Sequence, residues 1–301
     1  MTTPLLRRAG TWLALCFAWS WGVAALVQVS GIPVEGYWSL VLAIPFLVGP
    51  LVASLLWKRF VVHEPIASLD TGLRFDGLVV LCWIAPVAIV WASALVAHGF
   101  GWATLDLTGA PIVDRVLAVR GAEAAAKVQE GLLASQVPYP VLASLQALIV
   151  GLFFYTPLAF AEEIGWRGVL LRELRPLGFW PAALLIGAIW GLWQVPLVLL
   201  GGYFPDAPIQ GTLVMVGASI PLGALYAWVR EASGTVWAAA LAHGVLTALG
   251  GFHELILSGG AAEVVGVKGV AGGIVLLVLA VVLFARFPSG PRAPQPAQAA
   301  G

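Results

Sequence analysis

Few side chains in this sequence can do chemistry, and they fall in three short stretches. Glu162 and Glu163 are neighbours in Ala161-Glu162-Glu163-Ile164-Gly165-Trp166-Arg167-Gly168. On a helix, adjacent residues project about 100° apart. Glu163 and Arg167 share a face at i,i+4, with the acid nearer the N-terminus, the favourable order for an ion pair. Glu162 is left on another face. A carboxylate withdrawn from bulk water there can serve as a general base toward water. The plainer reading is two interfacial acids neutralised by Arg167, Arg172 and Arg175.

The second stretch is Trp190-Gly191-Leu192-Trp193-Gln194-Val195-Pro196, whose one strongly polar side chain is Gln194. Trp190 and Gln194 share a helical face. A helix–helix hydrogen bond, worth about 0.6 kcal/mol, is the bland alternative. The third is Leu241-Ala242-His243-Gly244-Val245-Leu246-Thr247, with His243 and Thr247 again at i,i+4. An imidazole there can be a base, a metal ligand, an oxyanion donor or simply a hydrogen-bonding group of the bundle. His63, His98 and His253 are weaker candidates. On a continuous helix, His253 would face well away from His243. Zinc wants three or four convergent ligands. Glu162 or Glu163 with His243 makes an incomplete set, so zinc is a candidate cofactor and no more. Cys16 and Cys82 lie in apolar runs and form neither a disulfide framework nor a CxxC clip.

The elements that must position these groups are membrane helices. Hydrophobic residues make up 60% of the chain and charged residues 10%, with a mean hydropathy of +0.96. A soluble domain carries about 25% charge and cannot hide this much apolar surface in one core. Runs near 11–30, 38–57, 77–98, 139–161, 179–203, 209–229, 233–252 and 265–285 approach the ~20 residues needed to cross ~30 Å of hydrocarbon. The expected fold is an all-α polytopic bundle of about eight spans. The first run follows Arg7 and Arg8 and reads as an uncleaved span rather than a secretory signal.

With the N-terminus inside, the inner segments hold eleven basic residues: Arg7, Arg8, Lys58, Arg59, Arg74, Arg167, Arg172, Arg175, Arg230, Arg286 and Arg292. The outer segments hold four: Arg115, Arg120, Lys127 and Lys268. The positive-inside rule therefore puts both termini in the cytoplasm, with a bacterial plasma membrane as the expected location. Residues 106–137 mix charged and apolar positions and read as an amphipathic helix on the outer interface, or as an ordinary connecting helix. The tail after Phe287 is rich in Pro, Ala and Gln and is expected to be disordered. Zero net charge gives no sign of a nucleic-acid partner.

Taken together, the three stretches resemble the CPBP intramembrane proteases, a family of type II CAAX prenyl endopeptidases and bacteriocin-processing or self-immunity proteins. That pattern is EExxxR, then an aromatic followed four residues later by His, then HxxxN or HxxxD. Glu162, Glu163 and Arg167 complete the first motif. The stretch around Trp190 resembles the second in all but its last polar residue, and Ser233-Gly234-Thr235-Val236-Trp237 leading to His243 resembles the approach to the third. The resemblance covers roughly residues 140–250. It implies that Glu162 matches the water-activating glutamate and Glu163 the second glutamate. Arg167 matches the arginine that supports the pair, and His243 a histidine that polarises the scissile carbonyl or holds a metal. It also implies a site inside the bundle that opens to the cytoplasm.

Two positions depart from the pattern: Gln194 replaces the second-motif His, and Thr247 replaces Asn or Asp. Gln takes up no proton near neutral pH, and its amide oxygen is a poor zinc ligand. It can still hydrogen-bond a water, and Thr247 can donate to an oxyanion. Three readings follow. One is a CPBP-type endopeptidase, weakened or not by these two changes, that acts on a peptide or membrane-protein substrate. The second is an inactive pseudoprotease that binds in the membrane or confers immunity, and the third is a small-solute transporter. The expected organisation is helices plus the outer segment over 1–138, a protease-like core over 139–252, a last helix over 253–287 and a tail over 288–301.

Overall fold

The computed structural model describes residues 2–32, 36–69 and 71–291. Of the tail expected to be disordered, residues from 292 onward, Arg292 included, lie outside the described residues. Residues 288–291 form a turn in which Gly290 packs on the Phe179 ring.

Seven helical stretches among the described residues are long and apolar enough to cross a membrane. They are α1 (Arg7–Ser30), α2 (Ala43–Val62), α3 (Gly77–Gly99), α6 (Tyr139–Leu177), α7 (Phe179–Leu199), α8 (Pro208–Ser233) and the segment Ala262–Arg286, which ends in the helix α10 (Val270–Arg286). Two helices of the connecting segment, α4 (Ala110–Arg120) and α5 (Ala122–Ala134), precede α6. The seventh apolar run, 233–252, forms only the 13-residue helix α9 (Val236–Ala248). At 1.5 Å per residue it is about 20 Å long, short of the hydrocarbon core. Thr235 starts it by accepting a hydrogen bond from the Trp237 amide, and the chain turns away at Leu249–Gly251. Every residue from Ala238 to Leu246 is buried. A helix that is apolar on all sides belongs in the centre of a bundle, and α9 packs there against α3, α6 and α8.

The fourth span is longer than expected. Its helix does not stop near residue 161 but runs on through Glu162 and Glu163 to Leu177. The two acids therefore sit in its interior and not at an interfacial end. Wide π-helical turns occupy Gly151–Tyr155 and Ile164–Leu170 on either side of them. Such turns re-aim side chains within a helix and recur at functional sites.

Small residues set the spacing around the site. A Cβ on Gly223 of α8 would lie 2.5 Å from the Gly187 Cα of α7, and one on Gly244 of α9 would lie 2.5 Å from the Thr156 amide of α6. Without a hydrophobic drive between helices in lipid, close backbone approach of this kind supplies the packing.

The segment 106–137 is a helical hairpin, not one helix. It breaks between α4 and α5 at Gly121, whose φ of 82° favours glycine. The hairpin caps one end of the bundle. There β1 (Thr104–Leu105) pairs antiparallel with β2 (Leu257–Ser258), and Arg115 forms an ion pair with Glu254. The opposite end carries Arg8, Lys58, Arg172, Arg175 and Arg230. Helix polarity separates the two ends as the loop charges predict, with one exception: Arg167 is no loop residue but lies buried inside.

Candidate active site

Glu162 and Glu163 diverge as their helical spacing requires, and each finds a partner on another helix. Glu162 is 5% exposed, and its Oε2 accepts a hydrogen bond from the Trp190 indole at 3.1 Å. Glu163 is fully buried. Its Oε1 accepts from Arg167 at 2.8 Å and meets His243 Nδ1 at 2.9 Å. A carboxylate accepts, so Nδ1 carries the proton in this pair. Nε2 is then the ring nitrogen without a protein partner among the described residues. The reading of two interfacial acids does not survive this burial.

Aromatic rings enclose Glu163, Arg167 and His243. The Arg167 guanidinium lies 5.0 Å from the Trp190 ring centre and 5.3 Å from that of Tyr226. Cation–π attraction of this kind is strongest where water is excluded. His243 stacks on Tyr226 and meets Trp190 edge-on, each at 5.2 Å. Arg167 also reaches the Gly223 carbonyl at 3.4 Å, where Gly223 packs closely on Gly187 of α7. Breaking such a buried pair by removing one partner costs about 3–5 kcal/mol.

Glu162, Gln194, His243 and Thr247 line one cavity of about 480 Å³. Gln194 ends the first part of α7 ahead of Pro196. It is 3% exposed, and its amide nitrogen has no hydrogen-bond partner. A buried donor left unmatched is uncommon and calls for a ligand or water. The three chemistry-bearing stretches therefore do meet, with Glu163 and Arg167 immediately behind the cavity wall.

The cavity runs from these residues toward Tyr203, Glu254 and Lys268, at the hairpin end. That is the end opposite Arg172, Arg175 and Arg230. A cavity opening to the cytoplasm and termini in the cytoplasm are therefore incompatible in this fold. The charge pattern alone carried no information about which end the site would face.

Sequence reasoning misses several groups around the site. Tyr226 of α8, outside all three motifs, packs on His243 and Arg167 behind the cavity lining; a lone Tyr amid a span is the signal for it. A continuous helix would put His253 far from His243, but the break after Ala248 brings it to the cavity mouth. Burial there pushes its imidazole below the usual value, partly offset by Glu254. Lys268 also lines the mouth, with its ammonium 4.1 Å from the Tyr203 ring centre. His63 and His98 lie outside the cavity lining.

Residues 140–249 match the model of the type II CAAX prenyl endopeptidase Rce1-like family. This is the family that the three motifs resemble. The matched stretch takes in most of α6 and all of α7, α8 and α9, and with them Glu162, Glu163, Arg167, Gln194, His243 and Thr247. The Rce1-like match covers these six residues and leaves α1, α2, α3, the hairpin, α10 and the His253–Lys268 side of the cavity mouth outside it. A search of curated proteins finds no match to the chain.

The donor set does not fit a zinc ion. His243 Nδ1 is engaged by Glu163, and Gln194 offers an amide where a further imidazole is expected. Among the described residues, no three His, Cys, Asp or Glu side chains are grouped to hold a metal.

Proposed function

We propose that this chain is an intramembrane endopeptidase in which Glu162 activates water against a peptide carbonyl. The Rce1-like match supports the reaction class. The observation that carries the mechanism is the meeting of Glu162, Gln194, His243 and Thr247 on one cavity that opens at the hairpin end.

The Trp190 indole holds Oε2 of Glu162, leaving Oε1 for a water. As the water oxygen attacks the scissile carbonyl carbon, Glu162 accepts its proton. Charge develops on the carbonyl oxygen, which accepts from the Gln194 amide and the Thr247 hydroxyl. Donors aimed at such an oxyanion in a dry site are worth about 2.7–4 kcal/mol each. When the tetrahedral centre collapses, the C–N bond breaks and the Glu162 proton passes to the leaving nitrogen. Glu163 is a positioning residue: it holds His243 and is itself held by Arg167.

The basic residues favour cytoplasmic termini. On that orientation the cavity receives its substrate from the outer face of a plasma membrane. A membrane peptide is the substrate class, and prenylated CaaX termini are one candidate within it.

The test is cleavage of a panel of membrane peptides, one of them prenylated at a CaaX terminus, by the purified protein in detergent. Glu162→Ala is expected to lower turnover by about 10²–10⁴-fold, the scale of general-base loss. Cleavage indifferent to Glu162 would overturn the reading. The substitutions at Gln194 and Thr247 favour a second reading, an inactive pseudoprotease that keeps the cavity for binding. No cleavage by the parent, with cleavage gained in Gln194→His, is its signature. Solute flux into liposomes that depends on Glu162 would favour a transporter instead.

A further inference from the structure

Arg115 and Lys268 both line the mouth of the site cavity, and they differ in their partners. Arg115 forms an ion pair with Glu254. Lys268 makes no hydrogen bond and no ion pair among the described residues; its ammonium lies over the Tyr203 ring, 4.1 Å from the ring centre. The ring face steadies the cation but leaves its N–H donors without a lone pair. Glu162 lines the same cavity, yet its contact is the Trp190 indole and no ion pair joins it to Lys268. Helix stability does not account for Lys268. It stands next to Gly269, the N-cap of α10, where a cation opposes the helix dipole. The turn that carries it is tightly packed: a Cβ on Gly266 would lie 2.7 Å from the Ala262 carbonyl oxygen, and one on Gly269 would lie 2.8 Å from it. The backbone from which Lys268 projects is therefore fixed.

A second cavity, of about 380 Å³, adjoins the first and shares Phe204, His253, Glu254 and Ala262 with it. Asp206 and Glu263 also line it, and no Lys or Arg does. A peptide in the first cavity has room to run on past Lys268, into a space whose acids repel a terminal carboxylate. We propose that Lys268 is a specificity-determining residue of the site: it takes the acidic side chain of an Asp or Glu within the substrate chain. A carboxylate there supplies the lone pairs that the Tyr203 ring does not, in a charge-assisted hydrogen bond. The proposal rests on the reading of the first cavity as a peptide site. Lys268 lies outside the Rce1-like match, so this selectivity belongs to the part of the mouth that the family model does not cover.

The experiment measures binding and cleavage separately, with the full chain in neutral detergent. The probes are apolar peptides of transmembrane length with an amidated C-terminus and a neutral fluorophore. They come in pairs that differ only by Asp or Asn at one position, and the position is stepped along the peptide. At a favoured position the Asp peptide is expected to bind about tenfold more tightly than its Asn partner, the effect of one charge-assisted hydrogen bond. The preference is expected to vanish in Lys268→Gln and to survive in Lys268→Arg. In Lys268→Glu it is expected to pass to a peptide with Lys at that position. Equal binding of the Asp and Asn peptides by the parent at every position would overturn the proposal, and that comparison needs no variant to fold. A preference that persists in Lys268→Gln would also overturn it. So would a Lys268-dependent gain found only when the Asn peptide carries a free C-terminus, which would assign the ammonium to a terminal carboxylate. Cleavage with no preference for Asp removes the acidic subsite and leaves the hydrolytic reading. Lys268-dependent preference in binding without any cleavage does the opposite.

Discussion

Glu163 and His243 are eighty positions apart in the chain and 2.9 Å apart in space. The same carboxylate oxygen also receives Arg167 at 2.8 Å. One buried atom therefore joins a local ion pair within α6 to a tertiary contact with α9. The arrangement fixes which imidazole nitrogen carries the proton and turns the other away from the acid.

Removing that junction is expected to cost stability more than removing its neighbour. Glu163→Ala leaves Arg167 a buried, unpaired cation and is expected to destabilise by about 3–5 kcal/mol. Glu162→Gln keeps an acceptor for the Trp190 indole and is expected to cost under about 1.5 kcal/mol. Thermal unfolding of both variants in detergent checks this, and equal losses would contradict the assignment of Glu163 as the structural member of the pair.

Gln194 is expected to show the reverse behaviour. Its amide nitrogen has no partner in the folded protein, so Gln194→Ala removes no made hydrogen bond there. The unfolding midpoint should hold while turnover falls about 10²–10³-fold, as for loss of an oxyanion donor. A variant that is unstable but fully active would remove Gln194 from the mechanism.

The α7–α8 contact can be tested with two alanines on one helix. At Gly223 a Cβ would press on the Gly187 backbone at 2.5 Å, whereas at Gly217 it meets nothing within 4 Å. Gly223→Ala is expected to destabilise by about 1–3 kcal/mol. Gly217→Ala is expected to stabilise by up to about 1 kcal/mol, because alanine gives up less backbone freedom in a helix. Their midpoints should move in opposite directions.

Acid sensitivity is expected at the arginine-rich end. The Lys58 ammonium hydrogen-bonded to Glu64 holds that carboxyl below its usual range. Because the folded form binds the proton more weakly, this stabilisation is present above the usual carboxylate range and fades as pH falls through the folded value. Glu64 is 40% exposed, so solvent screening keeps the effect modest. Glu64→Gln is expected to lower the midpoint at neutral pH and to converge with the parent in acid. A difference between the two that stays constant with pH would show that Glu64 contributes nothing as an anion.

The sequence by itself determined the membrane class, the apolar runs, the segregation of loop charge and the Glu163–Arg167 pair. All of these depend on run length, composition or i,i+4 spacing, which are properties of neighbouring residues. It also marked Glu162, Gln194, His243 and Thr247, since polar groups are costly inside an apolar span and stand out there. Only the tertiary structure decided that α6 continues past Glu163 with both acids buried, because Trp190 and His243 on other helices hydrogen-bond Glu162 and Glu163 there. The same holds for Tyr226, for His253 at the mouth and for the end on which the cavity opens. These follow from how close glycines let α6, α7, α8 and α9 approach, and backbone proximity between distant segments has no signature in local spacing.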